Sequence, residues 1–170
     1  MKLIIASDIH GSAKWCREVM RVVEREAPDK VVLLGDLLYH GPRNPLPDEY
    51  APKEVAAMLN GIAEQILSVR GNCEAEVDQM MLEFPCMADY AWILDGGHQL
   101  YCTHGHLWDP EHLPPLAKGT AFVYGHFHTR RNEAGEWIRL FNPGSVGLPK
   151  DGVHSVGLYQ DGEFSFLELG

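Results

Sequence analysis

Apolar runs of strand length frame a helical pattern at the start of the chain. Leu3–Ser7 and Lys30–Gly35 are continuous apolar runs, which are typical of buried strands. Between them, valines recur at helical spacing and Ser12 is a suitable N-cap, so we predict a helix over residues 12–26. A strand, a helix and a second strand in this order favour a parallel strand pair.

A proline-rich loop separates this unit from a second predicted helix, residues 53–64, and a third strand, residues 65–70. The remaining apolar runs are short and lie between Gly and Pro turns, which favours antiparallel hairpins. These runs read WIL, HQLYCT, AFVYG, WIRLF, HSVGLY and EFSFLEL, and Gln160-Asp161-Gly162 is predicted to form a hairpin turn. No long linker divides the chain. We therefore expect one domain over residues 1–170, with two sheets face to face and helices outside.

Composition narrows the classes of function. The chain has 170 residues, 45% of them hydrophobic, and a formal net charge of −10. An acidic chain lacks the basic face that an extended nucleic-acid surface needs, although a local positive site can still hold a small anion. The four cysteines, Cys16, Cys73, Cys86 and Cys102, form no CxxC pair. No apolar run is long enough for a signal peptide or a membrane span, so we expect a cytoplasmic protein without membrane contact.

Polar residues follow the predicted strands at the points where those strands end. Each of five strand ends carries Asp, His or Asn beside glycine: Asp8 and His10, Asp36, Asn72, His104 and His106, and His126 and His128. Any one of these blocks is a common turn signal, but five on successive strands are hard to explain as turns. Ligand sites of α/β sheets collect at the carboxyl ends of strands. In extended backbone, the i, i+2 spacing of two of the blocks would point both side chains the same way.

These side chains favour a divalent metal site. Imidazole, carboxylate and amide oxygen are ligands for borderline divalent cations, and no thiolate set for a structural zinc is present. The candidate ligands are too many for one ion but suit two ions that share a carboxylate. In hydrolytic sites of this kind the ions lie about 3.5–4 Å apart.

The ordered blocks SDIHG, LGDLLYHG, RGNCE, THGH and YGHFH resemble the calcineurin-like binuclear metallophosphoesterases. The family pattern is D-x-H, G-D, G-N-H-[DE], H and G-H-x-H, and FNPGSVGLP extends the likeness. Within the family, the chain is most similar to small bacterial phosphodiesterases. The resemblance implies an α/β fold, a four-layer αββα sandwich of two mixed sheets flanked by helices.

The resemblance also implies roles for individual residues. One metal ion would be held by Asp8, His10, Asp36 and His128, and the other by Asp36, Asn72, His104 and His126, with Asp36 as the bridge. Catalytic roles are expected for Asp36, Asn72, Cys73, His104 and His106, and substrate contacts for His40, Asn72 and Arg43. The cofactors would be two divalent ions, Mn²⁺ first, with Fe, Zn, Co and Ni left open. A metal-bridging hydroxide would attack a small phosphoester substrate, most simply a phosphodiester.

The third block departs from the family pattern because Cys73 stands where histidine is usual. That histidine is thought to protonate the leaving oxygen, and loss of a general acid typically costs 10²–10⁴-fold in rate. A neutral thiol is a weaker hydrogen-bond donor than imidazolium. We therefore expect better activity on activated diesters than on alkyl monoesters. His40 and His106 each have a second interpretation: His40 as a surface-loop residue, and His106 as a residue that orients His104.

Several alternatives stay open at the level of sequence. The protein could hydrolyse phosphomonoesters or phosphoproteins, and a nuclease is disfavoured by the charge. The retromer subunit of the same family suggests a non-catalytic scaffold, but here every expected metal ligand is present. Self-association through exposed aromatic residues such as Trp108 and Trp137 is also open.

Overall fold

Two mixed five-stranded sheets form the centre of the computed structural model, which describes residues 1–170. The strands are β1 (Lys2–Ala6), β2 (Lys30–Leu33), β3 (Ile66–Ser68), β4 (Tyr90–Asp95), β5 (His98–Thr103), β6 (Ala121–Val123), β7 (Arg130–Ala134), β8 (Arg139–Pro143), β9 (Ser155–Gln160) and β10 (Glu163–Glu168). The helices are α1 (Ala13–Glu26), α2 (Pro52–Asn60) and α3 (Glu76–Met81), with a 3₁₀ turn at Ala63–Gln65. None of the helices combines the length and the apolar character needed to cross a bilayer.

The first sheet has the order β10-β9-β1-β2-β3. Strands β1, β2 and β3 are parallel, as the strand–helix–strand pattern predicts, with Ile4 opposite Val31. Helix α1 begins after the predicted N-cap, since Ser12 Oγ accepts a hydrogen bond from the Trp15 backbone N–H. The predicted second helix is shorter than expected and ends at Asn60, and α3 was not predicted.

The second sheet corrects the expectation of hairpins throughout the second half. Its order is β4-β5-β6-β8-β7, and β5, β6 and β8 are parallel. The long segment 104–120 carries the chain from the end of β5 back to the start of β6, which a parallel pair requires. Hairpins do form at β4–β5, β7–β8 and β9–β10, the last through the predicted turn, where Asp161 and Gly162 have positive φ. That hairpin joins the first sheet rather than the second.

The core has two main layers because alternate residues of β1 face opposite sides. Ile4 and Ala6 face α1 and α2, in a cluster that also holds Val31 and Leu59. Leu3 and Ile5 face the second sheet, in a cluster with residues of β5, β6 and β8. Burial on both faces explains why this strand reads as one continuous apolar run.

The predicted class of two mixed sheets with flanking helices is confirmed. On the outer face of the second sheet, Tyr101, Phe122 and Tyr124 form a third, smaller cluster against Leu116. Leu116 belongs to the irregular segment 104–120, so this segment covers that face. The carboxyl ends of β1, β2, β3, β5 and β6 all lead to the site described next.

Candidate metal centre

The five predicted blocks meet at one place, at the carboxyl ends of the strands they follow. The seven side chains predicted as metal ligands are Asp8, His10, Asp36, Asn72, His104, His126 and His128, and contacts between their polar atoms link all of them. Asp8, His10 and His104 have no solvent exposure, whereas Asn72 is exposed. The cluster therefore has a buried floor and an open side.

The backbone at this cluster is left-handed and not extended, which corrects the geometric expectation for the paired blocks. Positive φ angles occur at Asp8 (56°), His10 (51°), Asp36 (55°), His126 (66°) and His128 (60°). Only a few per cent of non-glycine residues adopt this region, with Asp and His enriched among them. Such conformations cost of order 1–3 kcal/mol each and cluster at functional sites. Here the sharp turns direct the side chains back toward one another.

Asp8, His10 and His128 form one half of the cluster. The Asp8 Oδ1 atom lies 3.2 Å from His128 Nε2 and 3.7 Å from His10 Nε2. The two imidazole nitrogens are 3.1 Å apart. Metal–nitrogen bonds of about 2.0–2.1 Å place neighbouring ligand atoms roughly 3 Å apart, so this spacing suits a shared ion.

His104 is the centre of the other half. Its Nε2 atom lies 3.2 Å from Asn72 Oδ1 and 3.2 Å from His126 Nδ1. The Asp36 Oδ2 atom is 3.5 Å from His104 Nε2 and 3.7 Å from His10 Nε2. Asp36 therefore stands between the two halves, in the place that a bridging carboxylate would take.

Backbone carbonyls orient three of the imidazole rings. The Nδ1–H groups of His10, His104 and His128 donate to Tyr39 O at 2.8 Å, Leu34 O at 2.7 Å and Leu148 O at 2.7 Å. In each ring the Nε2 atom consequently faces the cluster and is free to bind a proton or a metal ion. This outer hydrogen bond is the usual partner of a metal-bound histidine.

The buried Asp8 Oδ1 atom has no hydrogen-bond partner. A buried, ionised oxygen without a donor is costly unless a cation neutralises it. The other oxygen is satisfied, because Asp8 Oδ2 accepts from Ser7 Oγ at 2.6 Å and from the His126 backbone N–H at 3.0 Å. The orphaned oxygen, the facing nitrogens and the mixed carboxylate, imidazole and amide donors together fit divalent cations.

The charges of the cluster are strongly coupled. Burial opposes ionisation of Asp8, but the His104 and His128 imidazoles outweigh burial and hold its pKa below the ordinary range. Burial likewise opposes protonation of His104, but Asp8 and Asp36 raise the pKa of that imidazole to about 9. In the metal-free protein, His104 therefore carries a proton at neutral pH, and a metal ion must displace it.

Glu74 anchors the loops that carry Asp36 and Asn72. Its carboxylate accepts backbone hydrogen bonds from Asp36 at 2.8 Å, from Leu37 at 2.7 Å and from Gly71. Burial and the nearby Asp36 raise the pKa of Glu74 to about 7. Gly71 packs so closely on Asp36 that a Cβ atom there would overlap the carboxylate.

The segment 142–148 supports the opposite side of the cluster. Ser145 Oγ donates to Asp8 O at 2.8 Å, and Asn142 Nδ2 donates to Gly125 O at 2.8 Å. Gly125 lies against Ser7, and a Cβ atom there would overlap Ser7 Oγ. This segment therefore positions two of the blocks through backbone carbonyls.

A cavity of about 330 Å³ opens over the cluster. Its walls are formed by Asp36, Gly41, Pro42, Arg43, Asn44, Asn72, Cys73, His126, His128 and Lys150. Arg43 thus lies where a substrate contact was expected. His40 lies outside these walls and packs edge-on against Tyr39 and Tyr50, so its role as a substrate contact stays a prediction.

The family model described as "Calcineurin-like phosphoesterase superfamily domain" matches residues 1–161. The chain belongs to the calcineurin-like phosphoesterase superfamily. This match confirms the family predicted from the five blocks.

Three comparisons extend over nearly the whole chain. The chain is 48% identical over 170 residues to "Phosphodiesterase YfcE" of Escherichia coli K12, covering 99% of this chain and 92% of that protein. The solved structure of Yfce, a phosphoesterase from E. coli, superposes with a TM-score of 0.93 and 41% identity over 100% of both chains. Vacuolar Protein Sorting 29 from Cryptosporidium parvum has a TM-score of 0.62 at 15% identity, over 98% of this chain and 95% of that one, and shares the fold.

Cys73 occupies the position that carries histidine in the usual pattern of the superfamily. Its Sγ atom lies within 4.8 Å of ligand atoms of His10 and Asp36. Burial, reinforced by the negative charge of Asp36, raises the pKa of the thiol, so it is neutral at neutral pH. Its backbone N–H donates to Asp36 Oδ1 at 2.9 Å.

His106 lies beside the cluster but does not orient His104. The two rings have centroids 5.4 Å apart, and the His104 Nδ1–H bonds to Leu34 O instead. His106 Nδ1 is buried without a partner, and burial together with the nearby His104 lowers the pKa of this imidazole to about 4. His106 is therefore a neutral ring at the edge of the site.

Sequence reasoning missed Lys150 and the full set of loop contacts made by Glu74. An acidic residue after G-N-x is part of the superfamily pattern, so Glu74 had a signal, although its anchoring role depends on contacts across the fold. Lys150 lies in an ordinary polar turn after β8 and had no comparable signal.

Proposed function

We propose that this protein is a metal-dependent phosphodiesterase that holds two divalent ions, with Mn²⁺ as the first choice. The observation that carries this proposal is the buried Asp8 Oδ1 atom, which accepts no hydrogen bond of good geometry and has only imidazole nitrogens of the two halves beside it, His128 Nε2 at 3.2 Å and His104 Nε2 at 4.0 Å. One ion would be held by Asp8, His10, Asp36 and His128. The other would be held by Asp36, Asn72, His104 and His126, with Asp36 shared.

The charge of the site suits an anionic ester. The positive charge of two divalent ions exceeds the negative charge of the Asp8 and Asp36 carboxylates. The metal-loaded site would therefore be positive within a chain of net charge −10. Arg43 and Lys150 in the cavity wall add to the local positive charge. When bound, the ions would activate water as the nucleophile and polarise the phosphoryl oxygens. Arg43 and the Asn72 amide would orient the phosphate from the open side.

The leaving group is where this site differs from the usual pattern. Cys73 offers a neutral thiol, and His106 is neutral at neutral pH, so neither is a strong proton donor. An ester whose alcohol leaves readily needs little help from a general acid. Activated diesters are therefore the substrates that this cavity and these side chains favour.

A metal-reconstitution experiment tests the proposal. The protein is stripped with chelator and restored with Mn²⁺, Zn²⁺, Co²⁺, Ni²⁺ or Fe²⁺ singly, and is then assayed with an aryl diester and an alkyl monoester. We expect hydrolysis of the diester only after metal is restored, fastest with Mn²⁺, and little turnover of the monoester. Asp36→Asn should abolish the activity, whereas His112→Gln, at an exposed histidine, should retain it.

Two results would contradict the proposal. Equal turnover of the alkyl monoester and the aryl diester would indicate a monoesterase. Protein that binds the metals but hydrolyses neither ester would favour the non-catalytic scaffold.

A further inference from the structure

A second cavity, of about 460 Å³, adjoins the cavity over the metal cluster. Residues 44–48 and 147–154 contribute most of its walls. Asn44, His128 and Lys150 line both cavities, so the two spaces meet at these residues. A molecule centred over the cluster can therefore extend one group into the second cavity.

The walls of the second cavity suit an uncharged group. Pro45, Leu46 and Pro47 form one side, and Leu148 and Pro149 contribute to the other. The Leu46 side chain is 63% exposed and lies in this wall. Ligand pockets are lined mainly by apolar side chains, and a group bound in this cavity would bury the Leu46 surface.

Asp48 and His154, two polar residues in the walls of this cavity, are already engaged by the protein. Lys14 Nζ binds Asp48 Oδ2 at 2.9 Å. His154 Nδ1–H donates to Val146 O at 2.7 Å, and its ring stacks on Trp15 with centroids 3.5 Å apart. These partners leave Lys150, at the junction with the first cavity, as the one unpaired charge in the walls, so the remainder of the cavity disfavours a highly charged ligand.

Lys150 stands at the junction of the two cavities. Its backbone N–H donates to His128 O at 2.9 Å, which fixes it beside the cluster. Most lysines and arginines of the chain are paired with a carboxylate, as Arg70 is with Asp89 and Arg130 with Asp151. Lys150 has no such partner, so its charge is available to an anion at the junction.

We propose that the second cavity binds the ester group that a phosphodiester keeps after hydrolysis, and that Lys150 binds a non-bridging phosphate oxygen. This inference rests on the proposed function. Hydrolysis forms a bond from the water oxygen to phosphorus and breaks the bond to the leaving oxygen, which departs as an alcohol with one proton of the water. The second proton is released as the monoester product ionises. In an in-line displacement the retained group lies to the side of the line of attack, and the second cavity adjoins the cluster through Asn44, His128 and Lys150.

The retained group is an apolar or aromatic one. A monoester has no retained group and leaves the second cavity unfilled, which supplies a reason for diester preference that is independent of Cys73. Because Lys150 would contact the phosphate, it would strengthen binding of every phosphoester. Leu46 would strengthen binding only of esters with a bulky retained group. This difference separates the two residues experimentally.

The activity test compares two diesters with the same leaving group. Bis(p-nitrophenyl) phosphate retains an aryl group, and methyl p-nitrophenyl phosphate retains only a methyl group. We expect Leu46→Glu to lower kcat/KM for the first ester by about tenfold, mainly through KM, and to change the second by less than about twofold. Lys150→Gln should lower kcat/KM for both. Leu94→Glu, at a 70% exposed leucine of β4, is the matched control and should change neither.

A binding test does not depend on turnover. Diphenylphosphinate and dimethylphosphinate carry the same charge and contain no ester bond, and their dissociation constants are measured by calorimetry on the Mn²⁺-loaded protein. We expect the diphenyl compound to bind about tenfold more tightly, and Leu46→Glu to remove that difference. Equal binding of the two compounds by the wild type, or a difference that survives Leu46→Glu, would overturn the assignment of the cavity. Failure of the wild type to hydrolyse either diester would instead count against the proposed function. Binding of the two phosphinates would still show whether the second cavity accepts an aryl group.

Discussion

Cys73 is the residue whose chemistry differs most from the pattern of the superfamily. Its thiol lies within 4.8 Å of ligand atoms of His10 and Asp36, close enough for a larger ring at this position to reach a substrate over the cluster. The raised pKa keeps the thiol neutral, so it is neither a nucleophile nor a thiolate ligand in the metal-free site. Its position makes it the natural place to change leaving-group preference.

Cys73→His is expected to raise activity on an alkyl phosphomonoester. An imidazole there can protonate the leaving oxygen, which typically contributes 10²–10⁴-fold, so a gain of about tenfold or more is expected. The gain on an aryl diester should be much smaller, because its leaving group needs little protonation. Rates of both esters are measured on the Mn²⁺-restored protein.

Cys73→Ser is the control for the size and polarity of the side chain. It should leave the ratio of the two rates unchanged. The proton-donor interpretation fails if Cys73→His raises both rates equally or raises neither.

At the scale of elements, the loop after β3 and the loop after β2 act as one unit through Glu74. One carboxylate accepts from the backbone of Asp36, Leu37 and Gly71 and so holds both loops together around Asp36. Asp36 in turn accepts from the Cys73 backbone. The position of Asp36 thus depends on a side chain that binds neither metal nor substrate.

Glu74→Ala is expected to destabilise the metal-free protein by about 3 kcal/mol, because each backbone donor left unpaired costs about 1–3 kcal/mol. Glu74→Gln retains one acceptor oxygen, so its free energy of unfolding should fall by less than that of Glu74→Ala. Unfolding in urea gives the free energies, and metal titration should show weaker binding for both variants, since Asp36 is less well held.

Glu76→Ala supplies the matched control, because Glu76 is exposed in the first turn of α3. It should change stability by less than about 0.5 kcal/mol. Equal stability of Glu74→Ala and Glu76→Ala would show that the loops do not depend on Glu74.

At the scale of the whole molecule, the candidate metal site is built from both sheets. Asp8, Asp36 and Asn72 follow strands of the first sheet, and His104 and His126 follow strands of the second. A ligand that binds only the folded state stabilises it, so metal should stabilise the packing of one sheet on the other.

The stabilisation by metal is expected to increase with pH between about 6.5 and 9. The pKa of His104 is raised to about 9 in the folded, metal-free protein, so its proton contributes stability that is complete below about 6.5 and is lost as pH rises through 9. Metal must displace that proton, so apparent affinity should rise about tenfold per pH unit in this window. Thermal unfolding with Mn²⁺ and with chelator at several pH values measures the difference in Tm.

Calorimetric titration in two buffers of different ionisation enthalpy provides an independent check. It should show release of about one proton from this histidine on metal binding at neutral pH. A difference in Tm that does not vary with pH, together with no proton release, would contradict the assignment.

The sequence by itself was sufficient to predict the family, the fold class and the grouping of the candidate ligands. Asp8, Asp36 and His104 each follow a recognisable apolar run, and the types of donor indicate a divalent cation whatever the exact geometry. Information of this kind is local, because the end of a strand and the residues after it are adjacent in the chain.

Only the tertiary structure decided how these local pieces are arranged. Strand pairing depends on which apolar faces meet across the core. This holds for the parallel pairing of β5, β6 and β8 and for the pairing of β9 with β1. The left-handed turns at the ligands, the anchoring by Glu74 and the place of Lys150 between two cavities depend on those same contacts. They join residues far apart in the chain, and no pattern within one segment specifies which distant segment it will meet.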